Sequence, residues 1–141
     1  MLPITLAKGV VNMLNDQSIS PAAELDYAPT LERVDIEDTR IVVAPGNTTS
    51  NILNRSGDRV FQRSVSVAIV ALCAPNDDAK IETLIGLCQT IGDLVARNRP
   101  LFDNDDPIGV TAISVDHDPL YDPERLRGGV FLGVVTGSYT P

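Results

Sequence analysis

The residues with the most chemical potential in this chain are Asp116, His117 and Asp118, the only histidine set between two carboxylates. Imidazole beside carboxylate suits a general base or a metal site, because the acid orients the ring and stabilises its cationic form. Consecutive residues at a strand end point to opposite sides, so these three do not converge on one ion unaided. Pro119 follows and marks a turn. The plainer expectation is a solvated loop, with a small metal-dependent enzyme as the alternative. A second acidic run, Asp103, Asp105 and Asp106, resembles the start of a calcium loop. It lacks the turn glycine and the distant bidentate glutamate that would complete one, and reads as a solvated loop.

Other chemistry is hard to place. Gly46 and Gly128-Gly129 build no phosphate cradle, and no serine stands in a G-x-S-x-G elbow. Cys73 and Cys88 lie in apolar runs without C-x-x-C spacing, which is the pattern of small buried hydrophobes. The expectation is therefore a non-enzyme, with no catalytic residue, no metal and no cofactor. Carboxylates outnumber basic residues 19 to 11, for a formal charge of −8. A protein that grips phosphates displaces counterions with Lys and Arg, so specific nucleic-acid binding is not expected.

The elements that must position any site follow from patterning. A chain of 141 residues, 43% of them hydrophobic, has the size and composition of one globular domain. Aromatics make up 4% and there is no Trp, so Val, Ile, Leu and Ala must fill the core. Met1-Leu2-Pro3-Ile4 lacks the features of a signal peptide, and no apolar run is long enough to span a bilayer. The reading is of a soluble chain made in a cytoplasm.

Ile4, Ala7, Val10, Val11 and Leu14 predict a helix over about Pro3 to Asp16. Glu24 to Tyr27 alternates and fits a short edge strand stopped by Pro29. Arg40 to Ala44 and Phe61 to Cys73 read as strands, the second apolar on both faces from Ala68 to Leu72. The clearest helix is Asp77 to Asn98, with Asn76 as N-cap and an apolar face of Ile81, Leu84, Ile85, Cys88, Ile91, Leu94 and Val95. Gly109 to Val115 and Val130 to Tyr139 are two further strands, joined by a polar loop over 116–129. The fold class is α+β: an antiparallel or mixed sheet of about four strands, with two main helices on one face.

Between the strands at Arg40 to Ala44 and Phe61 to Cys73 lies Gly46 to Asp58, a long polar hairpin loop. Loops of that length in compact domains tend to be functional or mobile. Arg55, Arg59 and Arg63 recur at every fourth position across this loop and the entry to the next strand. They suit a solubilising sheet edge or an arm that meets an acidic surface on another subunit. The interface candidates are Asn47, Asn51, Asn54, Arg55, Asp58, Arg59 and Arg63.

Several phrases occur together: Glu24-Leu25-Asp26-Tyr27-Ala28-Pro29, Thr39-Arg40-Ile41-Val42-Val43-Ala44-Pro45, Leu120-Tyr121-Asp122-Pro123-Glu124-Arg125-Leu126 and Phe131-Leu132-Gly133-Val134-Val135-Thr136-Gly137-Ser138-Tyr139. With the amphipathic helix between them, this order resembles the tail-terminator and tail-completion proteins of long-tailed bacteriophages. The resemblance implies a structural virion protein: a homo-oligomer, usually a hexameric ring, that closes the head-proximal end of the tail tube. It also implies partners in the tail tube protein and the head connector, DNA passing through the lumen without specific binding, and no membrane. Another neck, adaptor or minor tail protein of the same virion is the nearest alternative.

Overall fold

Apolar residues at helical spacing, with Pro3 in the first turn, place α1 at Pro3–Asp16, where Leu6, Ala7, Val10, Met13 and Leu14 are buried. The structure is a computed structural model and describes residues 3–27, 38–52 and 59–141. After α1 come β1 (Ala23–Leu25), β2 (Arg40–Ile52), β3 (Arg59–Leu72), α2 (Asp78–Arg97), β4 (Thr111–His117), α3 (Pro123–Arg127) and β5 (Val130–Thr140). The strands form one sheet in the order β1-β2-β3-β5-β4. β1 runs parallel to β2 and the other pairings are antiparallel, so the sheet is mixed and the fold is α+β.

The sheet has five strands, where about four were expected. The segment Glu24 to Tyr27, read as a short edge strand, contributes β1 at Ala23–Leu25, which pairs through Ala23↔Ile41, Glu24↔Val42 and Leu25↔Val43. Arg40 ties this edge down, donating from Nε to Glu24 at 2.7 Å and reaching Asp26 at 3.3 Å.

The alternation of β3 decides which face is covered. Val65, Val67, Ile69 and Ala71 join Ile41, Val43, Val135 and Tyr139 in one core with residues of α1 and α2. Both main helices therefore lie on one face, as the patterning predicts. On the other face Val70 packs with Val130, Ala68, Leu72 and Leu132. This accounts for the run of β3 that is apolar on both sides.

α2 buries Leu84, Cys88, Ile91, Gly92 and Val95. Its N-cap is Asp77, not Asn76: the Asp77 carboxylate accepts from the Lys80 backbone N–H at 3.2 Å. The span expected as a loop between β4 and β5 contains α3. Asp122 caps it, accepting from the backbone N–H groups of Glu124 and Arg125, and Pro123 opens the first turn.

Much of the span expected as hairpin loop is strand. After a register shift between Pro45 and Thr48, β2 and β3 pair again from Thr48↔Arg63 to Ile52↔Arg59. β5 accompanies β3 only from Leu72 to Arg63, where Arg63 meets Tyr139, and β1 accompanies β2 only from Ile41 to Val43. Beyond that rung the hairpin continues as a two-stranded arm, with no third strand among the described residues.

Candidate functional site

Two surfaces and one histidine are the candidates. His117 ends β4 at the sheet edge, exposed, with its backbone opposite Val135. Its ring lies over α2 at Gly92: a Cβ there would come within 2.6 Å of Nε2. Asp116 and Asp118 are exposed on either side of it in sequence. Among the described residues, no group of three or more His, Cys, Asp or Glu side chains is placed to hold a metal ion. Nor does any described helix have the length and apolarity to cross a membrane. The acidic run is a closed turn. Phe102 donates its N–H to the Asp106 carbonyl at 2.8 Å, Leu101 bridges Pro107, and Asn12 reaches Asp103 at 3.0 Å.

Both cysteines are free and buried, Cys88 among the core residues of α2. Burial pushes the Cys88 thiol up from 9.0 to about 11, and it raises Cys73 too, against the opposing influence of Lys80. Tyr139, fully buried on β5, is raised by burial as well. These groups hold their protons more tightly in the folded chain than in the unfolded one. Their contribution is therefore complete below about pH 9 and is lost as the pH rises through the folded values. The midpoint of thermal unfolding is expected to hold up to pH 9.0 and to fall between there and about pH 11. Cys88→Ala should be less stable at neutral pH by about 1–2 kcal/mol, yet lose less across that alkaline interval. Equal alkaline slopes for the two proteins would show that this thiol does not contribute.

The interface candidates divide three ways. Asn47 and Asn51 lie on β2, Asn47 within the register shift, and Arg59 opens β3. Arg63, half-buried, sits on the rung where the five-stranded sheet gives way to the arm, flanked by Thr48 and Tyr139. Asn54, Arg55 and Asp58 lie outside the described residues. Of the described candidates, Asn51 and Arg59 thus lie on the arm, and Asn47 and Arg63 lie at its base.

No protein-family model matches the chain, and no curated protein matches its sequence.

The second surface was not singled out by the residue patterns. β4 is an edge strand whose outer side meets no other described strand, and most of its residues are exposed. Ile113 is 51% exposed, at a register shift between Ala112 and Ser114. A groove of about 170 Å³ runs beside it, lined by Ala96 of α2 and Ala112, Ile113, Ser114 and Val115. What could have flagged this edge is the absence of Lys and Arg from Thr111 to Asp118, since basic residues commonly guard exposed edges.

Proposed function

We propose that this chain is a structural virion subunit. It assembles into a ring, most simply a hexamer, that closes the head-proximal end of a phage tail tube and joins it to the head connector, with DNA passing through the lumen. The observation that supports this reading best is the arm. Two paired strands running past their neighbours β1 and β5 gain little from their own domain, because an isolated hairpin is marginal in water. A neighbouring subunit can supply the missing contacts, and fixing about 1–2 kcal/mol of backbone entropy per residue is then offset on assembly. The acidic balance fits the same role, since a lumen poor in fixed cations lets a polyanion pass without adhering. The phrase order that resembles tail-terminator proteins supports a place at the head-proximal end of the tail.

The purified chain is expected to give annular particles with a central opening by electron microscopy, and native mass spectrometry should count their subunits. Replacing residues 48–62 with a two-residue Asn-Gly turn should leave the helices and core intact, by circular dichroism and unfolding midpoint, while abolishing the ring. A wild-type chain that stays monomeric over a full concentration series would overturn the proposal. So would a shortened chain that still closes rings.

A further inference from the structure

The arm and the open edge of β4 are complementary in three respects. The first is hydrogen bonding. Arg59 to Gln62 extend β3 past the last rung it shares with β5, which leaves one side of that stretch without a ladder partner among the described residues. The outer side of β4 is likewise open. Unpaired strand edges are templates for each other, and edge-to-edge addition is a recurrent way to join chains.

The second is length. Past the register shift, β4 runs regularly against β5 from Ser114↔Ser138 to His117↔Val135, a stretch of four residues. The overhang of β3, Arg59 to Gln62, is also four residues. The groove between Ala96 and β4 lies at the start of that stretch, between helix and edge strand. An added strand places alternate side chains in such a groove.

The third is charge. The overhang Arg59–Gln62 carries a basic residue and no acidic one, whereas Thr111 to Asp118 carry Asp116 and Asp118 and no basic residue. Both carboxylates are exposed and make no ion pair among the described residues.

Within one chain the two edges cannot meet, because β5 stands between β3 and β4. Resting on the ring reading above, we infer that the overhang Arg59–Gln62 of one copy adds as a further strand to the Ser114–His117 edge of the next. Each subunit then donates an arm on one side and accepts one on the other. This contact is heterologous, the kind that closes into a ring when its rotation is a simple fraction of a turn. It also gives Asp116 and His117 a role in assembly.

The test is a charge swap read by native mass spectrometry and sedimentation. Asp116→Arg and Arg59→Glu should each weaken association on the order of a hundredfold, and chains carrying both should regain it. Asp105→Arg, on the separate acidic turn, changes net charge equally and should leave assembly unchanged. Copies bearing Arg59→Cys and copies bearing Asp116→Cys, mixed and oxidised, should form a disulfide between chains, while the buried native thiols stay out of it. If wild-type rings form but tolerate both reversals, or if the cysteine pair never links, this contact is wrong and the ring reading survives. A wild-type chain that forms no ring at all removes both.

Discussion

A chain carrying Leu84→Asp is expected to be unfolded at room temperature, with a coil-like circular dichroism spectrum and no cooperative urea transition. Leu84 is 4% exposed and stands on the buried face of α2, in the core that both helices share with the sheet. Removing the leucine side chain alone costs about 2–5 kcal/mol. The carboxylate that replaces it has no cation among the core residues, which contain no buried charged group among those described. Leaving such a charge unpaired costs several kcal/mol more, or forces it to take up a proton at a similar penalty. The sum reaches the whole stability of a domain this size, about 5–15 kcal/mol. Glu82→Ala, on the exposed face of the same helix, is the control and should change stability by no more than about 0.5 kcal/mol. A Leu84→Asp protein that still unfolds cooperatively would mean α2 does not pack by this face.

What could be read from residues alone depended on whether a segment has a buried face. α1 was legible to both ends because its stripe is largely buried between Leu6 and Leu14 and a polar stretch stops it. α2 was legible apart from its cap, where Asn76 and Asp77 are both competent and only the backbone path selects Asp77. The inner half of the hairpin was legible because Val65, Val67 and Ile69 alternate against serines. The arm was not, for the same physical reason. A two-stranded extension with no layer over it needs no apolar alternation, so Asn, Ser and Thr there carry the composition of a loop while the backbone pairs as strand. α3 was missed because five residues cannot show a helical period, although Asp122-Pro123-Glu124 is a good N-terminal signal. The open edge of β4 left only an indirect trace, a stretch without Lys or Arg from Thr111 to Asp118. Which strand ends up at the edge is a property of the order β1-β2-β3-β5-β4, and strand patterns do not encode neighbours.

The second large effect is expected at Gly133, and it separates a rigid contact from a yielding one. A Cβ added there would lie 2.7 Å from the Cys88 sulfur and 2.7 Å from the Leu120 carbonyl oxygen. The Leu120 carbonyl is poorly placed to retreat. On either side of it the chain is bonded to β5, through Val134 N–H to the Pro119 carbonyl at 2.9 Å and Asp122 N–H to the Leu132 carbonyl at 2.9 Å. Gly133→Ala is therefore expected to lose about 1–3 kcal/mol by urea denaturation, despite adding a single methyl group. Gly92→Ala makes a numerically tighter approach, 2.6 Å from His117 Nε2, but that ring is exposed and can swing away. The helix also gains up to about 1 kcal/mol when glycine is replaced in its interior, so Gly92→Ala should be close to neutral. Combining Gly133→Ala with Cys88→Ala frees the sulfur side of the clash and leaves the carbonyl side. The double variant should recover part of the added loss and show a coupling on the order of 0.5–1 kcal/mol. Full recovery would mean that the thiol alone sets the spacing between α2 and β5. Wild-type stability in Gly133→Ala itself would mean that the two layers are not held this closely.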